Sequence, residues 1–324
     1  MADHEDAADQ RHVPGAYGSL LRLRQQTIGR NRVRIVSVGE ILWDLLGEGE
    51  FLGGAPLNFS ICSQRLGNDV ALVSVVGDDR RGAMALRSIQ AHGLATEFIQ
   101  TIAGQPTGTA TSDIDESGSA NFNIQRPVAY DFLDPGESAL QQLAAMRPDW
   151  IYFGTLAQTS AGNEALLRRL IAAAPGARCF YDMNLREGQW SAPLVERLSA
   201  FASILKLNES EAEILFGISR GAEKFSLERF CESWSRTHEL RTICVTLGER
   251  GCAVWSGGAL QHFPGVAVRV VDTVGAGDAF SAAFLHGFDR GWPLERTAAF
   301  ANSLGALVAG RAGATPAWTI EELT

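Results

Sequence analysis

The sequence predicts a doubly wound α/β fold: a mostly parallel sheet with helices on both faces, plus a small β-sheet lid. Three observations carry that expectation. From residue 33 onward short apolar strands alternate with helical segments, the rhythm of a parallel sheet covered on both sides. Residues 106–125 break the rhythm with two alternating runs about Asp115-Glu116-Ser117-Gly118, a hairpin signature. Near the C-terminus a glycine-rich turn, Asp272-Thr273-Val274-Gly275-Ala276-Gly277-Asp278, separates an extended run from an apolar helix.

Residues 1–31 are polar and mixed in charge, and are expected to form a flexible extension outside one domain spanning 32–324. Val33–Val38 and Val70–Val76 are strands by their β-branched content. Leu45–Gly53 is short, turn-rich and partly extended, so with the hairpin it forms the expected lid, from about 43–54 and 105–127. Further strands are expected at Asp149–Phe153, Arg178–Asp182, Ala202–Lys206, Arg241–Thr246 and Gly265–Val271. Helices are expected at 58–66, 80–93, 161–173, 192–200 and 209–216, and at Ala279–Phe288 after the glycine-rich turn.

Composition narrows the function. With 46% hydrophobic and 20% charged residues the chain reads as an ordinary soluble enzyme. A net charge of −9 argues against nucleic acid or an anionic membrane as partner. Lys206 and Lys224 are the only lysines, so arginine, backbone amides and metal must hold any phosphate ligand. Cys62, Cys179, Cys231, Cys244 and Cys252 are odd in number and lie mostly in apolar runs, which points to a reducing, cytoplasmic compartment. No stretch is apolar for long enough to span a bilayer.

The glycine-rich turn is the strongest chemical signal. Amides at a helix start have no intrahelical acceptor, and with the positive end of the dipole they suit a phosphate. Asp278 in that turn reads either as a helix cap or as a proton acceptor for an attacking hydroxyl. Gly53-Gly54-Ala55-Pro56-Leu57-Asn58 lets backbone approach a ligand, with Asn58 offering an amide to a polyol. Asp44, following a strand and Gly39-Glu40, is a carboxylate for paired sugar hydroxyls. Arg186, in Asp182-Met183-Asn184-Leu185-Arg186, offers a planar fork to phosphate. Asn208-Glu209-Ser210-Glu211 places a carboxylate within reach of Mg²⁺ through water, or simply enriches a first helical turn in acid. Thr246-Leu247-Gly248-Glu249-Arg250-Gly251 is a strand-ending turn against which a nucleotide can lie.

These motifs, in this order, resemble the ribokinase-like (PfkB) carbohydrate kinases over essentially all of residues 33–324. The resemblance implies transfer of the ATP γ-phosphoryl group to a sugar hydroxyl, with Asp278 as base and the Gly275, Ala276 and Gly277 amides as anion hole. It implies sugar contacts from Asp44, Gly53, Gly54 and Asn58, and Mg²⁺ and phosphate contacts from Asn208 and Glu211, with Asn184 and Arg186 nearby. Thr246, Gly248, Gly251 and Asn302 would border the nucleotide. A monovalent cation such as K⁺ is implied beside the anion hole, near Asp272, Val274 and Gly313.

Within the family the chain is most similar to fructokinases, through Gly39-Glu40-Ile41-Leu42-Trp43-Asp44, Gly53-Gly54-Ala55-Pro56 and Asn184-Leu185-Arg186 with Trp190. It departs from them at Met183, where Pro is usual, and in Leu57-Asn58-Phe59-Ser60, where small residues are common. D-Fructose is the expected substrate. 2-Keto-3-deoxygluconate is the main rival if Arg126 points inward, ahead of ribose, a nucleoside or a non-catalytic sugar-binding role. Exposed lid strands suggest a homodimer.

Overall fold

The computed structural model describes residues 32–46, 49–114 and 120–323. The expected extension, residues 1–31, and the hairpin turn at 115–118 lie outside them. Nine strands form the main sheet. Seven run parallel: β1 (Arg34–Val38), β4 (Asp69–Gly77), β5 (Ile99–Ile102), β8 (Trp150–Gly154), β9 (Arg178–Asp182), β10 (Ile204–Asn208) and β11 (Thr242–Thr246). An antiparallel hairpin, β12 (Cys252–Ser256) and β13 (Ala259–Phe263), completes one edge. The spatial order is β13-β12-β11-β10-β9-β8-β1-β4-β5.

Strand side chains alternate between two helical layers, as a period of two requires. Val36 and Val38 of β1 and Ile151 and Phe153 of β8 face one layer. That layer holds α3 (Gly136–Ala145), α4 (Ala161–Ala173), α5 (Ala192–Ser199), α6 (Glu209–Arg220) and α7 (Leu227–His238). Ile35, Trp150, Tyr152 and Phe180 face α1 (Ala55–Arg65), α8 (Ala276–Asp289) and α9 (Leu294–Ala309) on the other side. The ring of Phe59 on α1 stacks on Tyr152 with centroids 3.7 Å apart, which seats α1 over the sheet centre. Helix α2 (Arg80–Ala91) closes the far edge through Ala85 and Ile89.

A second, four-stranded sheet stands apart, in the order β3-β2-β6-β7. It comprises β2 (Leu42–Leu46), β3 (Gly49–Gly53), β6 (Gly108–Ile114) and β7 (Ala120–Ile124). Asp44, within the expected lid segment 43–54, sits inside β2 opposite Phe51 of β3.

The Gly265–Val271 run is not a strand. Val266, Val268, Val270 and Val271 are 41–59% exposed. Alternation is a local signal, whereas a strand needs a neighbour; β13 already occupies that edge of the sheet. No helix among the described residues is long and apolar enough to cross a membrane.

From β1 the chain moves one way to β4 and β5, then returns to β8 and proceeds the other way. The switch point lies between β1 and β8, where such sheets open a crevice beyond their carboxyl ends.

Candidate active site

Asp278 lies in the first turn of α8 and Asn58 in the first turn of α1. The Asn58 amide donates from Nδ2 to Asp278 Oδ2 at 2.9 Å, so the two helix starts meet. Asp278 is only 8% exposed. Burial raises its carboxyl to about 7, with Asp182 adding to the rise and Lys206, Asn58 and Arg186 opposing it. A buried carboxyl balanced near neutrality can take up a proton where an exposed aspartate is already too weak a base. The Oδ1 of Asn58 is buried without a partner, leaving an acceptor for a ligand hydroxyl.

The glycine-rich turn has a steric reason for its sequence. Gly275, at the N-cap of α8, has φ +79°, and a Cβ there would stand 2.2 Å from the Ala314 carbonyl oxygen. Any side chain would therefore push the turn away from the 310–315 loop. The Ala276 N–H reaches back to the Thr273 carbonyl at 3.3 Å. The Gly277 and Asp278 amides sit in the first turn, where the helix supplies no acceptor.

Beside this turn, Asp272 ties two loops together. Its carboxylate accepts from Val274 N and from Gly313 N, each at 3.0 Å. The three residues expected around a monovalent cation are thus brought together.

In the Gly53-Gly54 segment, Gly54 caps α1 at φ +116°, where a Cβ would stand 2.4 Å from the Glu40 carbonyl oxygen. Gly53 pairs with Leu42 across the lid. Burial raises Asp44 to about 6; the Arg186 charge opposes this and the Asp272 charge adds to it. Asp44 therefore feels both the arginine loop and the loop that carries Asp272. Arg126 does not stand open. Its guanidinium donates to Asp131 and Thr159 and to the Leu156 carbonyl at 3.2 Å.

The loop after β9 is pinned at three points. Thr155 donates to the Met183 carbonyl at 2.6 Å, and Met183 N donates to the Lys206 carbonyl at 2.9 Å. Proline at 183 could not make that second bond, a physical counterpart of the departure noted in the sequence. The third pin is Leu185 N to Glu211 Oε1 at 2.6 Å. Asn184 takes φ +43° between them, and Arg186 follows. The Arg186 charge acts on Glu40, Asp44 and Asp278 alike and opposes the rise of each.

Glu211 has a second duty. It forms a capping box with Asn208: Asn208 N donates to Glu211 Oε2 at 2.7 Å, and Glu211 N donates to Asn208 Oδ1 at 2.9 Å. Both carboxylate oxygens are thereby engaged, although each retains a lone pair for a water. Among the described residues no group of three or more His, Cys, Asp or Glu could hold a metal directly.

Of the residues expected to border a nucleotide, Thr246 ends β11 beside Asn208, and Gly248 and Gly251 bracket a short 3₁₀ turn. Asn302 instead spends its amide on the Pro264 carbonyl at 2.9 Å, holding the chain that leaves β13.

Sequence reading missed a buried group beneath Asp278. Lys206 Nζ donates to Asp182 Oδ1 at 2.9 Å. Asp182 Oδ2 accepts from Ser281 Oγ at 2.7 Å and from Tyr152 OH at 3.0 Å. A lysine inside the apolar run Ile204-Leu205-Lys206-Leu207 was the available signal, since a buried lysine needs a partner. Glu40 was missed likewise. It is buried, with Oε2 unpartnered, and burial raises its carboxyl above the usual range.

The chain and its fold resemble those of known proteins. Residues 48–320 match the pfkB family of carbohydrate kinases. Fructokinase-1 of Oryza sativa subsp. japonica is 30% identical over 90% of this chain and 96% of its own length. A Vibrio cholerae O395 fructokinase solved with fructose, ADP and calcium ion superposes with a TM-score of 0.77 at 25% identity, covering 91% of this chain and 98% of that one. The fold is shared with 2-dehydro-3-deoxygluconokinase of Thermotoga maritima, at a TM-score of 0.78 and 20% identity over 90% and 98% of the two chains. The chain belongs to the pfkB family of carbohydrate kinases.

Proposed function

We propose that this protein is an ATP-dependent fructokinase, moving the γ-phosphoryl group of ATP to a primary hydroxyl of D-fructose. The observation that carries the reading is the Asn58–Asp278 contact at 2.9 Å, which couples a buried base to an amide on the helix behind the lid. Similarity to fructokinases over most of the chain supports the sugar.

In this reading Asp44, the Gly53-Gly54 backbone and Asn58 hold the sugar so that one hydroxyl faces Asp278. Asp278 accepts its proton as the oxygen attacks the γ-phosphorus in line. The Gly277 and Asp278 amides at the start of α8 meet the charge on the transferring group, with Gly275 and Ala276 shaping the turn. Arg186, aimed by the pinned loop that holds Asn184, supplies a planar cation on the phosphate side. Thr246, Gly248 and Gly251 border the nucleotide, and Asn302 supports that wall through Pro264.

Mg²⁺ would neutralise the nucleotide phosphates. Asn208 and Glu211 fit it through water, since their side-chain oxygens already accept backbone amides. The loops joined by Asp272 fit K⁺ through their carbonyls, near Val274 and Gly313. Closure of the lid over the sugar would exclude water as a competing acceptor.

A neutral ketohexose suits the pocket better than a keto-acid sugar. The latter needs an uncompensated arginine, and the Arg126 charge is met by Asp131. We assign the protein to the cytoplasm because its cysteines are free and buried. We further assign residues 1–31 to an extension outside the kinase domain, and a homodimer to the lid edges, where Phe51 is exposed on β3.

A coupled ATP-turnover panel of D-fructose, 2-keto-3-deoxygluconate, ribose and a nucleoside tests the substrate, compared as kcat/KM. D-Fructose is expected to lead. A higher kcat/KM for another member would remove the fructose assignment and leave the kinase.

A further inference from the structure

The Lys206–Asp182 pair is the most deeply buried charge pair in the site, and the reaction as described leaves it without a role. The Lys206 side chain is 8% exposed and that of Asp182 is fully buried. Removing two charges from water is costly, and a fold that needed only packing there would be served by apolar side chains. The pair lies directly behind the anion hole. A Cβ on Gly277 would stand 3.1 Å from Lys206 Nζ, so the ammonium sits against the backbone of the first turn of α8. Ser281 links the two: its hydroxyl lies 2.7 Å from Asp182 Oδ2 and 3.0 Å from the Gly277 carbonyl.

We propose that Lys206, with Asp182 and Ser281, is a positioning residue of the phosphoryl site: it holds the first turn of α8 in place and sets the charge against which Asp278 works. The inference rests on the reading of Asp278 as the base. The groups that face Asp278 come from four places. Asp182 ends β9, Lys206 lies on β10, Asn58 on α1, and Arg186 in the loop after β9. Tyr152 and Cys62 also face it but stay neutral, the thiol pushed up to about 12 by burial.

The signs are opposed. Burial alone would lower the Lys206 ammonium, but Asp182, Glu211 and Asp278 outweigh it and keep the group protonated. That positive charge favours ionised Asp278, whereas the Asp182 charge disfavours it. The pair therefore holds the base at a set point that neither member would give alone.

The test is a set of kcat/KM–pH profiles for the full-length protein and four variants: Lys206→Met, Asp182→Asn, the double variant and Asp278→Asn. Lys206→Met should move the acidic limb up by about one pH unit, the lower end for a neighbouring charge. Asp182→Asn should move it down. The double variant, which leaves no unpaired buried charge, should keep the limb near its original place. It should lose roughly 10²-fold in kcat, the scale for one lost stabiliser of transition-state charge.

A merely structural pair would lower activity at every pH and leave the limb where it was; that result overturns the inference. If Lys206→Met does not fold, Asp182→Asn decides, and an unmoved limb there overturns it equally. Asp278→Asn separates the two readings. Full turnover in that variant removes the base and this inference together. Lost turnover with an unmoved Lys206→Met limb removes this inference alone.

Discussion

Asn58 and Asp278, 220 positions apart in the chain, are joined by a 2.9 Å hydrogen bond between the first turns of two helices. The bond matters because its donor is an amide. It favours the ionised carboxyl, and so partly offsets a burial that pushes the other way.

Asp278→Asn preserves shape and removes the base. Turnover should fall by roughly two to four orders of magnitude while KM for sugar and ATP changes little. The same variant should be more stable than the parent at alkaline pH. A carboxyl whose folded-state value is raised to about 7 from 3.8 contributes stability below its unfolded value and loses it as pH rises through about 7. Urea unfolding at acid and alkaline pH should therefore show the gain for Asp278→Asn only on the alkaline side. Equal gains at both would mean that Asp278 is ionised throughout.

Asn58→Leu keeps the volume and removes the donor. The Asp278 carboxyl should then rise further, moving the acidic limb of kcat/KM to higher pH, and KM for the sugar should increase. A limb that stays in place would show that the hydrogen bond is not formed in the working enzyme.

Glu211→Gln replaces an oxygen that accepts an N–H with an amide nitrogen that cannot. Leu185 or Asn208 is left with an unsatisfied, part-buried N–H, which costs about 1 kcal/mol. Thermal unfolding should show a lowered Tm, and the Mg²⁺ concentration for half-maximal rate should rise. Arg186→Ala should weaken ATP binding without moving the Mg²⁺ titration. Coincident Mg²⁺ curves for Glu211→Gln and the parent would limit Glu211 to the capping box.

Asp131→Asn should release the charge of Arg126. Discrimination against 2-keto-3-deoxygluconate should then fall, since a substrate carboxylate would find an uncompensated guanidinium. Unchanged kcat/KM ratios across the sugar panel would place Arg126 outside the pocket.

Much of the fold was legible because parallel strands buried on both faces read as apolar runs, as at β4, β8 and β11. The valines from 266 to 271 misled because their spacing is right and their neighbour is absent. The edge is filled instead by β12 and β13, joined through Gly257-Gly258. The Gly275–Gly277 turn, Asp278 and Asn58 each carry their signal in one short run of sequence, and the structure brings them together at two helix starts. Lys206 was not legible in that way, because its partner Asp182 is 24 positions away on the next strand. Glu211 shows a further limit. Spacing three from Asn208 serves a capping box as well as it serves a metal, and only in the folded chain is the box seen to form.

The Gly275 start of α8 carries no side-chain cap. A surface of net charge −9 should repel a nucleotide at long range. The attraction at this helix start comes from fixed peptide dipoles, which do not titrate and act over the length of one turn. Approach and retention are thereby governed by separate parts of the molecule. Added salt screens the repulsive surface more than it screens amides in contact with phosphate. On the reading proposed above, this acidic protein should be slow to meet ATP in dilute buffer and still hold it once it has arrived.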